Sequence, residues 1–208
     1  MLTLSGSQPY NPQTMKIPER RGNDRLTDVD KQTTDELKDR LSGKGFTFSK
    51  DGDVNVVKVK GDTKIARALK LLDAYEYLEG RDLFDKTTPY SKAAEIGEKY
   101  YKETLTPSEI QSPAFSGQYV SFTEAGFDHV MGKHRADYTE DSIKRRLSLL
   151  PRVLPILQST PYVDEVRARE DGTKEYGLLG KFSDGRVVRV VVEESKQNNK
   201  TFLYVFVS

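Results

Sequence analysis

Residues 162–208 read YVDEVRAREDGTKEYGLLGKFSDGRVVRVVVEESKQNNKTFLYVFVS. Apolar residues recur there with a period of two, the spacing of strands with one buried face. Three polar breaks divide the stretch: Asp171-Gly172, Ser183-Asp184-Gly185 and Gln197-Asn198-Asn199. Asn, Asp and Gly tolerate the positive φ that tight hairpins require. The pattern predicts four strands, over 162–170, 173–182, 186–196 and 200–208. Connections this short force neighbouring strands to run antiparallel. In the third strand, Val188, Val190 and Val192 take one face, while Val187, Arg189, Val191 and Glu193 take the other. In the last, alternation sets Phe202, Tyr204, Phe206 and Ser208 on one face and Thr201, Leu203, Val205 and Val207 on the other.

Upstream the period becomes helical. Thr139 is a good N-cap, and Glu140 and Asp141 complement the helix dipole in the next turn. Ile143, Leu147, Leu150, Leu154 and Leu157 form a stripe that Pro151 and Pro155 interrupt, so two short helices are expected. Phe122–Arg135 reads as helical in its second half and holds both histidines, His129 and His134. Residues 104–118, with Pro107, Pro113 and Gly117, read as a connection. Before it, helices are expected over Thr27–Leu41, Asp62–Glu79 and Pro89–Glu103, with a β-hairpin turning at Asp51-Gly52. The expected architecture is α+β. A flexible arm covers 1–25, and a mostly helical N-terminal domain with a small hairpin covers 26–105. A linker follows over 106–118. A C-terminal domain of short helices and a four-stranded antiparallel meander covers 119–208.

Composition bounds the function. The chain has 208 residues, 36% hydrophobic and 31% charged, with 10% aromatic residues and a formal net charge of +1. Cores can form, but global charge gives no reason to bind nucleic acid, so such binding must come from a local patch. There is no cysteine, which removes disulfides, zinc knuckles and thiol chemistry. Met1–Arg25 lacks the apolar run of a signal peptide, and no stretch approaches the length needed to span a membrane. The expected location is the cytoplasm, or a target cell reached by a non-Sec route.

Chemistry has few places to sit. His129 and His134 lie five residues apart, about 140° around a helix, and do not share a face. A metal site would want i,i+4 spacing and further ligands, so neither metal nor cofactor is expected. His134 lies in Lys133-His134-Arg135, a cationic cluster suited to phosphate, and histidine titrates near neutrality. Arg189 sits mid-strand among valines, where a charge is costly unless paired or facing a cleft. It either pairs with a carboxylate such as Glu193 or binds phosphate. Lys181, Thr201 and Tyr204 could line such a cleft. The run Lys144-Arg145-Arg146 ends a helix, where cations suit the dipole; it could contact phosphates but reads first as a solvated face. Gly177 and Gly180 match no phosphate-binding fingerprint.

In order, FTEAGFDHVMGKHR, then SIKRRLSLLPRVLPILQSTPYV, then the strands ending in TFLYVFVS resemble the barnase/EndoU/colicin/RelE-like nucleases. The likeness is to the phage- and mobile-element-associated branch, over about residues 119–208. It implies metal-independent RNA cleavage of toxin or effector type, in which the 2′-hydroxyl attacks the adjacent phosphate. That reaction needs a base, an acid and a cation. The resemblance assigns His134 first and His129 second as acid or base. It assigns Arg189 to the phosphate, with Tyr204, Lys133, Arg135, Lys181 and Thr201 as helpers. It also implies RNA as partner, with an immunity or antitoxin protein beside it. The competing reading is a non-catalytic accessory protein of a phage or mobile element that binds nucleic acid or protein. The N-terminal half, on the nuclease reading, would lie against the sheet and block the cleft.

Overall fold

The computed structural model describes residues 28–60, 64–133 and 137–207. The arm expected over 1–25 lies outside them. Helix α1 (Asp28–Leu41) precedes a hairpin of β1 (Phe46–Asp51) and β2 (Val54–Val59). Then come α2 (Lys64–Ala74), β3 (Tyr77–Leu78) and α3 (Tyr90–Tyr100), which runs on into a π-helical turn, Tyr101–Leu105. Short strands β4 (Ile110–Gln111) and β5 (Tyr119–Ser121) flank a 3₁₀ turn, Pro113–Phe115. Helices α4 (Glu124–Val130), α5 (Glu140–Ser148) and α6 (Val153–Ser159) follow, and β6 (Glu165–Ala168), β7 (Lys174–Phe182), β8 (Val187–Glu194) and β9 (Lys200–Val207) complete the chain.

The class is α+β, but the expected division into a helical N-terminal half and a four-stranded antiparallel meander is overturned. β6 to β9 belong to a seven-stranded mixed sheet in the order β3-β7-β8-β9-β5-β4, with β6 also beside β7. β3 pairs parallel with β7, and β5 pairs parallel with β9. The added strands are two or three residues long, too short to show a period of their own. The edges of β7 and β9 recruit them, because an unpaired ladder of N–H and C=O groups favours any segment that satisfies it. Tyr77 and Leu78 read as the last turn of a helix reaching Glu79. Instead α2 stops at Ala74, and Ser183 N donates to the Leu78 carbonyl at 3.1 Å. Residues 106–118 carry β4 and a turn whose Pro113, Ala114 and Phe115 are buried.

Packing explains the helices. Pro151 stands in a 3₁₀ turn, Leu150–Arg152, and Pro155 in the first turn of α6, where its missing N–H has no helical partner to lose. Thr123 and Thr139 cap α4 and α5, their hydroxyls accepting from Gly126 N and Ser142 N. One face of β7–β9 (Tyr176, Leu178, Phe182, Val188, Val190, Val192, Phe202 and Val205) joins Tyr101, Phe127, Leu147 and Ile156 in the main core. A second cluster joins Leu37 and Leu41 of α1, Val57 of β2, Leu71 of α2 and Tyr162. Arg152 is fully buried beneath these helices. It pairs with Asp82 at 3.3 Å and Asp184 at 2.7 Å, and its guanidinium lies 4.6 Å from the Phe182 ring centroid.

Candidate functional site

The register of the sheet arranges its other face in rows. Glu165, Gly177, Val191 and Tyr204 lie opposite one another across β6, β7, β8 and β9. The row on one side is Leu179, Arg189 and Phe206, and on the other Arg167, Glu175, Glu193 and Thr201. A β-bulge sets this pattern in β9. The register shifts between Val191 and Val192, so Tyr204 pairs with Val191 and Phe202 with Val192, leaving Leu203 as the extra residue. Strict alternation placed Phe202 and Tyr204 together. The bulge sends Phe202 into the core and leaves Tyr204 half-buried on the opposite face.

Arg189 is 2% exposed and fully engaged. Its Nη1 and Nη2 donate to both Asp164 oxygens at 3.0 and 2.8 Å, and Nη1 also donates to Glu165 Oε2 at 3.0 Å. Gly177 makes this possible, since a methyl there would overlap the Arg189 Nη1. Burial pushes the Asp164 carboxyl upward, against the pull of Arg189. The half-buried Tyr75, just after α2, lies within electrostatic range of Asp164. This end of the face is therefore closed, and Arg189 orients Glu165. Glu165 Oε1 is gripped from the other side by Arg167, whose Nε donates at 2.9 Å.

The neighbouring part of the face surrounds the half-buried Tyr204. Arg167 lies on one side, and the Tyr204 hydroxyl acts on it electrostatically. Arg146 of α5 lies on the other side, its guanidinium 5.9 Å from the Tyr204 ring centroid and 3.7 Å from that of Tyr138. Arg146 Nη1 is buried and has no hydrogen-bond partner among the described residues. Such a donor favours an anion. Tyr138 packs so closely on Gly132 that a side chain at 132 would overlap its ring. Tyr138 thus bridges Gly132 and the Arg146 guanidinium.

The remaining described residues expected from the sequence are dispersed. His134 and Arg135 lie outside the described residues. His129 is half-buried on α4. Lys133 pairs with Asp128 at 2.5 Å. Lys181 shares the Arg189 face but stacks on Tyr77, with 4.3 Å between Nζ and the ring centroid. Thr201 sits at the far end of that face, its hydroxyl 3.5 Å from that of Ser121. Across β8, their partners Val187 and Glu193 are six residues apart, about 20 Å at strand rise, so Lys181 and Thr201 cannot meet one small group. Glu165, Arg167 and Tyr138 did not stand out in the sequence, and Arg146 did so only within a run read first as a solvated face. Arg146 lies next to the apolar stripe of α5, a position that periodicity does not separate from solvent.

Among the described residues no group of His, Asp and Glu side chains is arranged to hold a metal ion, and no helix is long and apolar enough to cross a membrane. No family model matches the chain, and no curated protein or solved structure matches it either.

Proposed function

We propose that this chain is a metal-independent endoribonuclease of the toxin or effector type. The observation that supports the reading is the stack of Tyr138, Arg146 and Tyr204, in which the Arg146 Nη1 has no hydrogen-bond partner among the described residues. In the reaction a base takes the proton of the RNA 2′-hydroxyl and the 2′-oxygen attacks phosphorus. The 5′-oxygen leaves with a proton from an acid, giving a cyclic phosphate and a 5′-hydroxyl. His134 is first choice for the acid or base and His129 second. Glu165, fixed by Arg167 and Arg189, is a further candidate base. Arg146 takes the phosphate role first given to Arg189, because Arg189 is committed to two carboxylates. Tyr204 donates to a phosphate oxygen. RNA is the substrate, and an immunity or antitoxin protein presenting carboxylates to Arg146 and Lys133 is the implied partner. The place of action is the cytoplasm, of the producing cell or of a target cell reached by a non-Sec route.

The test is cleavage of labelled total RNA in EDTA by the full chain and by His134→Ala, Arg146→Ala and Tyr204→Phe. Cyclic phosphate ends that vanish with His134→Ala and fall at least tenfold in the other two are expected. RNA left intact by the wild-type chain would sink the reading. A non-catalytic accessory protein that binds nucleic acid or protein is the second reading. The engagement of Arg189 and the net charge of +1 favour it.

A further inference from the structure

Helix α5 has a second cationic face. Lys144 and Arg145 point away from Tyr204, into a groove of about 480 Å³ bounded by residues 82–86, Arg186 and the end of β9. Its floor is apolar: Phe84, Leu149 and Val207, the last 52% exposed. Its rim is Lys86, Lys144 and Arg145. Lys144 Nζ donates to the Lys86 carbonyl at 2.6 Å, which ties the 82–86 segment to α5 and fixes the groove's width.

The charges cancel only in part within the groove, leaving a positive excess on its rim. Asp82 is consumed by Arg186 at 2.7 Å and by the buried Arg152 at 3.3 Å. Asp85, held by the backbone and hydroxyl of Thr87, sets one negative charge against Lys86 and Lys144, which leaves Arg145 with Asp141. Among the described residues Lys86, Lys144 and Arg145 form no ion pair, and Asp141 is the remaining acid of the lining. An aromatic and aliphatic floor under a basic rim matches a flat apolar ring joined to an anion, and the volume suits one nucleotide.

We infer that this groove binds a nucleotide of single-stranded RNA flanking the one held at Tyr204, with its base on Phe84 and Val207 and its phosphate on Lys86 and Arg145. The inference takes its ligand class from the endoribonuclease reading. The geometry adds one point of its own: α5 presents Arg146 to Tyr204 and Lys144 and Arg145 to the groove, so one strand crossing the helix meets both.

The experiment measures binding of a labelled RNA single strand, long enough to span both places, to the full chain across a salt series. The variants are Lys86→Glu with Arg145→Glu, and separately Val207→Asp. All three positions are exposed, so folding is expected to persist, and circular dichroism checks it. The charge reversal is expected to weaken binding at least tenfold and to flatten the salt dependence by about two phosphate contacts. Val207→Asp is expected to weaken binding about threefold or more. Unchanged affinity and slope in folded variants would overturn the inference. So would an equal loss for duplex RNA of the same length, which marks a general polyanion surface. Cleavage is read in parallel. Groove-dependent binding without cleavage by the wild type removes the nuclease reading and leaves the groove. Cleavage with groove-independent binding does the reverse.

Discussion

Gly177 lacks a side chain where Arg189 needs room to cross from β8 to Asp164. Gly177→Ala is expected to displace the guanidinium and cost about 1–3 kcal/mol in urea unfolding, the range for overpacking a tight site. Arg189→Ala should cost more, about 3 kcal/mol, because it leaves the mostly buried Asp164 without its counter-ion. Asp184 offers a pH test. Burial alone would raise its carboxyl, but hydrogen bonds from Arg186 and Arg152 outweigh that and hold it at about 2. A depressed carboxyl gives its full stabilisation above its ordinary value of 3.8 and loses it as pH falls toward 2. Asp184→Asn is therefore expected to lower the urea midpoint at neutral pH and to flatten its decline between about pH 4 and 2. Equal slopes for variant and wild type would contradict this. The cost of a charge at Arg189 was legible in its valine-flanked position. Its partners were not, because Asp164 lies 25 residues away and no local pattern connects them. Arg146 was hidden for a different reason. A cation beside an apolar stripe looks solvated until tertiary packing sets Tyr138 and Tyr204 around it.

Helix α5 carries both Arg146 and the rim of the groove, so its N-terminus bears on both. Thr139 Oγ1 accepts from Ser142 N at 3.2 Å. Thr139→Ala is expected to cost about 1 kcal/mol by thermal or urea unfolding. Thr139→Asn, which keeps a capping oxygen, should recover most of it. At this scale the sequence was readable wherever an element is long enough to repeat its own period. The cap of α5, the hairpin at Asp51-Gly52 and strands β7, β8 and β9 all declare themselves. The bulge at Leu203 does not, and one extra residue reverses the facing of everything on its far side. That single insertion separates Tyr204 from Phe202 and puts a phenol, rather than a second core ring, beside Arg146. β3 fails to declare itself too, because two residues hold no period and their pairing with β7 is decided by an edge formed a hundred residues later.

The long-range pairing decides what a shortened chain can do. Cutting at residue 118 looks from the sequence like removing a restraint from a nuclease unit. The main core, however, draws Tyr100, Tyr101 and Leu105 from the end of α3, Ala114 and Phe115 from the following turn, and Val54 and Val56 from β2. The cut also removes β3 and β4 from the sheet and Tyr75 from the electrostatic surroundings of Asp164. Losing one buried large side chain costs about 2–5 kcal/mol, and a domain's whole stability is about 5–15 kcal/mol. Removing Tyr100, Tyr101, Leu105 and Phe115 together exceeds that reserve. The fragment 119–208 is therefore expected to be unfolded, with narrow amide dispersion in NMR and no cooperative urea transition. A folded fragment that cleaves RNA faster than the full chain would mean instead that the N-terminal half is a cover, separable from the core it now completes.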